Sequence, residues 1–90
     1  MKLKQDFVLR NVAGSWVVLP VGQSAVNFNG MLSLNEVGAF LWNVLQETGG
    51  DAATLAEALQ GEYDVDASTA LTDAEQFLSR LEQAGCLEQA

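Results

Sequence analysis

Residues 31–45, MLSLNEVGAFLWNVL, decide the fold, because the spacing of their apolar residues changes from a repeat of two to a repeat of about 3.6. Before Asn35 the pattern is typical of a strand. Trp42 lies toward the opposite side from the other apolar residues after Asn35, so this helix is apolar nearly all round. We therefore expect a strand that leads directly into the central helix of a small core. The predicted main face of that helix is formed by Val37, Phe40, Leu41, Val44 and Leu45.

Two shorter apolar segments precede this stretch and predict a hairpin. Residues 7–12, FVLRNV, suit a first strand, and residues 16–19, WVVL, suit a second, with a tight turn at residues 13–15. Pro20 has no backbone N–H, so we expect it at the end of the second strand or at an edge. We expect the third strand to pair with the second.

The segment before the third strand leaves two alternatives open. Asn29-Gly30 is a two-residue turn signal that folds residues 25–28 back against residues 31–34. Alternatively, one bent strand runs through the segment with a bulge at Gly30. We place the third strand over residues 31–34.

Capping residues predict where three helices begin. Asn35, Asp51 and Asp66 each precede a segment with helical spacing, and each side chain can accept from the free amides of a first turn. The second helix is expected from residue 52 to about residue 63, and the third over residues 67–84, where Gly85 ends it in a left-handed conformation. We expect the third helix to bury Ala70, Leu71, Ala74, Phe77, Leu78 and Leu81. The predicted fold class is α+β, a three-stranded antiparallel sheet followed by three helices in one domain over residues 1–90.

Composition excludes several classes of function. Twelve acidic and four basic residues give a net charge of −8, which disfavours nucleic acid and anionic membranes as partners. The sequence has no histidine and one cysteine, Cys86, so it lacks His-based catalytic pairs, the usual transition-metal ligand sets and an internal disulfide. No apolar run approaches the roughly 18 residues of a membrane span, and the start lacks a signal-peptide core. We predict a cytoplasmic protein without a cofactor.

Catalytic and metal motifs find little support. Residues 64–75 have the acidic spacing of an EF-hand loop, but Thr69 stands where that loop needs a glycine for its sharp turn. Helix capping explains the same acidic residues. Cys86 has no histidine to activate it, and the carboxylates form no recognisable acid/base pair. We therefore predict that the protein is not an enzyme and holds no metal.

Two features favour binding of another chain. A three-stranded sheet leaves an edge whose backbone groups can accept an added strand. The apolar set of the third helix is wider than one narrow stripe, so part of it can line a groove.

The order of FVLRNVAGSWVVLPVG, LSLNEVGAFLWNVL, TLAEALQGEYDVD and FLSRLEQAGCL resembles the PqqD-like family. That family is named for a protein of pyrroloquinoline quinone biosynthesis and is also described as the recognition element for ribosomally made, modified peptides. The most specific part of the resemblance is Leu34-Asn35-Glu36 followed by Trp42 and Leu45. The segment after Pro20 is longer than the connection between the second and third strands in many members.

The resemblance implies a winged-helix-like domain that binds the leader segment of a precursor peptide. In the family, the leader adds as a strand to the third strand and lies in a groove against the third helix, and a partner enzyme, often a radical SAM enzyme, modifies the held peptide. The matching positions here are Met31, Leu32, Ser33 and Leu34 on the strand and Phe77, Leu78, Arg80 and Leu81 on the helix. Which of them point outward stays open, because a one-residue shift in register exchanges the two faces.

Two other functions are compatible with the predicted fold. One is a winged-helix DNA-binding regulator, which the charge of −8 and the single basic residue of the last helix, Arg80, disfavour. The other is a structural subunit of a complex, with its sheet edge closed by self-association.

Overall fold

The computed structural model describes residues 2–21 and 32–88. Three strands form one antiparallel sheet in the order β1-β2-β3, and three helices follow them. The predicted α+β class and the order of strands and helices are confirmed. The elements are β1 (Phe7–Val12), β2 (Ser15–Pro20), β3 (Leu32–Leu34), α1 (Glu36–Thr48), α2 (Ala52–Glu62) and α3 (Ala67–Ala84).

A two-residue turn at Ala13 and Gly14 joins β1 to β2. Their φ angles are 54° and 84°, and positive values at both positions define a type I′ turn, whose twist matches that of the flanking strands. The side chain of Asn11 accepts a hydrogen bond from the backbone N–H of Gly14 at 3.2 Å. The turn brings Val12 opposite Ser15 and sets the register of the hairpin.

The turn also determines which way the backbone groups of β2 point. In a two-residue hairpin the pair that closes the turn is hydrogen-bonded, and bonded and non-bonded pairs alternate beyond it. The bond from the N–H of Val21 to the carbonyl of Asp6, 2.7 Å long, continues this alternation past the end of β2. Ser15, Val17 and Leu19 therefore bond to β1, whereas Trp16 and Val18 turn their backbone groups toward β3.

The third strand pairs with β2, as predicted, and covers Leu32–Leu34. Met31 and both alternatives at Asn29-Gly30 lie outside the described residues. Pro20 is the last residue of β2 and stands opposite Phe7, where a missing N–H breaks no bond to β1.

Each helix begins at the predicted cap. The capping side chain accepts from the backbone N–H three residues later: Asn35 from Gly38 at 2.8 Å, Asp51 from Thr54 at 3.1 Å and Asp66 from Thr69 at 2.9 Å. These interactions stabilise the charged form of the two aspartates. Bonds from the backbone and side chain of Thr54 lower the pKa of Asp51, and bonds from the side chain and backbone of Thr69 lower that of Asp66. At the other end of α3, Gly85 has the expected left-handed conformation, with a φ of 78°.

The core is centred on α1, which packs against β3, α2 and α3. The face of α1 that is most deeply buried differs from the predicted one, because Val37, Phe40 and Val44 are only half-buried and Trp42 is fully buried. Contact from several sides explains why a helix that is apolar nearly all round is stable there. The largest fully buried side chains are Trp42, Leu41, Leu45, Leu55, Leu81, Val18 and Cys86.

The prediction that Leu71 is buried is wrong, since 41% of this residue is exposed. The other five predicted positions of α3 are buried and form one stripe along the helix. Leu71 follows Ala70 by one residue, a rotation of about 100° around the helix, which carries it to the margin of that stripe.

The two ends of the described chain meet beside the core. Leu3 and Leu87 form an isolated antiparallel bridge, and the N–H of Lys4 donates to the carbonyl of Cys86 at 2.8 Å. Cys86 is fully buried there, and its burial raises the pKa of the thiol. In the described part of the chain, no helix is both long enough and apolar enough to cross a membrane.

Candidate functional site

On the outer side of β3, the backbone N–H and C=O of one residue, Ser33, point away from the neighbouring strand. Trp16 and Val18 direct their backbone groups toward β3, where they stand opposite Leu34 and Leu32. Ser33 lies between these two pairs, opposite Val17, so its N–H and C=O point away from β2. Among the described strands β3 is an edge of the sheet, and the N–H and C=O of Ser33 are the backbone groups that this edge turns toward the side of an added strand.

One long-range hydrogen bond connects this edge with α3. The Nη2 atom of Arg80 donates to the carbonyl oxygen of Ser33 at 3.0 Å. The arginine side chain thus links the helix directly to the backbone of the strand. Arg80 is also the one basic residue in the sequence after Arg10.

An open pocket of about 230 Å³ lies between the first turns of α1 and the middle of α3. Its floor is apolar and its rim carries exposed polar side chains. The volume is below the roughly 300–1,000 Å³ of pockets that enclose small molecules, so the pocket suits one or two side chains of a larger ligand. Its lining consists of Asn35, Val37, Gly38, Leu41, Asp73, Gln76, Phe77 and Arg80.

Gly38 allows the pocket to form directly beside β3. A Cβ atom at this position would lie 3.2 Å from the Cβ of Leu34 and 3.3 Å from the Oδ1 of Asn35. The missing side chain therefore lets the first turn of α1 approach the end of the strand closely. Arg80 belongs both to the pocket lining and to the β3 edge, so pocket and edge form one continuous surface.

The structure separates the candidate residues into two groups. Ser33 is exposed on the edge, Leu32 is half-buried beside it, and Phe77 and Arg80 line the pocket. The other described candidates lie in the core with at most 6% of their surface exposed and do not line the pocket: Leu34, Leu78 and Leu81. Met31 lies outside the described residues.

Sequence reasoning named Phe77 and Arg80 but missed Asp73, Gln76 and the part of the pocket contributed by α1. Asp73, Gln76, Phe77 and Arg80 follow the spacing i, i+3, i+4, i+7, which places them on one side of a helix. That spacing was a usable signal. No comparable pattern pointed to Asn35, Val37, Gly38 and Leu41, because their role depends on how α1 packs against α3.

The surface offers binding chemistry of two kinds. The edge supplies a backbone donor and acceptor, and the pocket supplies an apolar floor with polar groups around it. Among residues 2–21 and 32–88, no three histidine, cysteine, aspartate or glutamate side chains are grouped closely enough to hold a metal ion.

A small α+β domain in which, among the described strands, an edge strand lies beside a helix-lined pocket is a class of fold suited to strand addition. Comparison with protein families identifies the particular one. The family described as coenzyme PQQ synthesis protein D (PqqD) matches residues 15–87, which is most of the chain. The chain belongs to the PqqD family.

Two solved structures have similar folds. TbiB1 in complex with the TbiA(beta) leader peptide is 28% identical to this chain, with a TM-score of 0.75 over 100% of this chain and 98% of that chain. Lasso peptide synthetase B1 complexed with the leader peptide is 23% identical, with a TM-score of 0.74 over 98% of this chain and 96% of that chain. The second likeness is one of fold alone. None of the curated proteins compared with this chain matches it.

Proposed function

We propose that this protein binds the leader segment of a ribosomally made precursor peptide as a fourth strand beside β3. The observation that carries the proposal is that the backbone N–H and C=O of Ser33 point outward next to a pocket between α1 and α3. Backbone pairing at such an edge gives affinity with little demand on sequence, and the pocket then selects a side chain. The contact residues are Leu32, Ser33 and Phe77, with Arg80 at the border between strand and pocket and Met31 predicted to extend the strand.

The comparisons support this function. TbiB1 holds the TbiA(beta) leader peptide, and its chain is covered almost completely by the present one. A chain of the same fold, in which β3 is an edge among the described strands, has the features needed to hold an equivalent segment. Leu34, Leu78 and Leu81 then act indirectly, because they pack in the core that fixes the strand and the helix.

We propose that the bound peptide is presented to a separate modifying enzyme and that this chain does no chemistry itself. The sequence has no histidine, and the one cysteine is buried with its pKa raised by burial. A radical SAM enzyme is the partner class predicted from the family resemblance, and the cytoplasm is the predicted location. DNA binding has no supporting observation, since the one basic residue of α3 donates to Ser33.

Titration monitored by NMR tests strand addition directly. The ligands are peptides encoded by short reading frames beside the gene and the TbiA(beta) leader peptide. We expect micromolar binding by at least one of them, with the largest amide shifts at residues 32–34 and 73–80. Binding to none of them, or shifts confined to other parts of the chain, would count against the function.

A proline at residue 33 tests the role of the edge amide. Ser33→Pro removes an N–H that points away from β2, so the ladder between β2 and β3 keeps its bonds, while the ring blocks an added strand. We expect affinity to fall at least about tenfold. Ser33→Ala keeps the N–H and is the matched control with affinity close to the wild type. Equal affinity of the proline and alanine variants would contradict strand addition at β3.

A further inference from the structure

The Ser33 carbonyl has two competing uses. In the free protein it accepts from the guanidinium of Arg80 at 3.0 Å. In the proposed complex it is the outward acceptor of the β3 edge, the group to which an added strand donates its N–H. Peptide binding therefore requires Arg80 to give up or share the carbonyl.

The contact between Arg80 and Ser33 is suited to exchange. Arg80 is exposed, and its one hydrogen bond to the strand is made by the end of a long side chain that reaches across from α3. Asp73 lines the same pocket two turns earlier, yet among the described residues no carboxylate forms an ion pair with Arg80. One exposed hydrogen bond of this kind gives an equilibrium preference of only about two- to tenfold, and exposed side chains change rotamer within nanoseconds.

We infer that Arg80 is a reversible cap on the peptide-accepting edge of β3. This inference rests on the proposed function. In the absence of a peptide, Arg80 satisfies the outward carbonyl and places a positive charge on the edge, and charged side chains at edges hinder pairing with unrelated strands. An incoming leader replaces the guanidinium with its own N–H.

The cap sets a threshold for binding. Its displacement raises the Kd of every added strand by the same factor, whatever the sequence of that strand. A peptide that also places a side chain in the pocket still binds despite this increase in Kd. A peptide that pairs only through its backbone binds too weakly to occupy the site. Arg80 thus limits occupancy of the site to segments with suitable side chains.

Arg80→Met is the variant that isolates the cap, because methionine keeps an unbranched apolar stem and removes all donors. Arg10→Met is the matched control. Arg10 is exposed on β1, its Nη1 donates to the carbonyl of its neighbour Leu9 at 3.5 Å, and its loss changes the net charge equally. Thermal melting of both variants verifies that each is folded.

Binding is measured by fluorescence anisotropy with labelled TbiA(beta) leader peptide and with labelled peptides from the neighbouring reading frames. We expect Arg80→Met to bind about two- to fivefold more tightly than Arg10→Met. In the free protein, the carbonyl ¹³C shift of Ser33 should change in Arg80→Met and stay unchanged in Arg10→Met.

The outcomes separate the two proposals. If the wild type binds none of these peptides, the proposed function fails and the cap fails with it. If the wild type and Arg10→Met bind but Arg80→Met binds equally or more weakly, the cap alone is overturned. An unchanged Ser33 carbonyl shift in Arg80→Met would also overturn it.

Discussion

The two edges of the sheet differ in a way that their lengths do not explain. β1 has six residues and β3 has three, yet the candidate site lies on the shorter strand. An arginine donates to an outward carbonyl on each edge, but Arg10 contacts its own neighbour at 3.5 Å, whereas Arg80 reaches Ser33 from α3 at 3.0 Å. A pocket adjoins the second contact. An edge becomes a selective site when another element stands beside it, because the backbone alone provides little discrimination.

The largest expected effect concerns how the short strand is held in place. Leu34 is only 6% exposed and packs in the core, whereas Val12 at the end of β1 is 56% exposed. Leu34→Ala should lower the free energy of unfolding by about 3 kcal/mol, through lost burial and the cavity left behind. Val12→Ala should change it by less than about 0.5 kcal/mol. Urea denaturation measures both, and equal losses would show that core packing does not distinguish the two edges.

Proline substitution compares the edges as binding surfaces. The N–H of Asn11 points away from β2, as that of Ser33 does, because both residues belong to non-bonded pairs. Asn11→Pro should leave peptide affinity within about twofold of the wild type, while Ser33→Pro should reduce it at least about tenfold. Asn11→Pro also removes the side chain that accepts from the N–H of Gly14 in the turn, so this variant should lose more stability than Ser33→Pro. Weaker binding by Asn11→Pro than by the wild type would indicate that the peptide pairs with β1 rather than with β3.

Most of the fold followed from local signals in the sequence. Asn35, Asp51 and Asp66 each begin a helix because a cap depends on residues only three positions apart. The extent of β1 and the end of α3 at Gly85 likewise depend on near neighbours. The buried face of α1 was harder to predict, since tertiary contacts decide which side of an apolar helix is deepest.

The candidate site was only partly predictable for the same reason. Ser33 and Arg80 are 47 residues apart, and no local pattern shows that one donates to the other. Leu78 and Phe77 are neighbours in the sequence, but a rotation of about 100° between them places Phe77 in the pocket and leaves Leu78 in the core. The pocket also required α1 and α3 to meet, which sequence spacing alone does not determine.

The smallest expected effect concerns the pH dependence of α3, the helix beside the β3 edge. Hydrogen bonds from the side chain and backbone of Thr69 lower the pKa of Asp66 below its usual value of 3.8. The cap therefore contributes its full stability above that value and loses it as the pH falls through the lower pKa of the folded state.

Asp66→Asn keeps an acceptor oxygen at every pH, so the stability of this variant should depend less on pH below about 4 than that of the wild type. Urea unfolding between pH 2.5 and 6 measures this. Asp51→Asn should reduce the pH dependence as well, because hydrogen bonds also lower the pKa of Asp51, but it alters the start of α2 and leaves α3 unchanged. Amide chemical shifts at the start of α3 should change in Asp66→Asn but not in Asp51→Asn. Those of β1 should change in neither variant, and a change there would show that the two edges of the sheet are coupled.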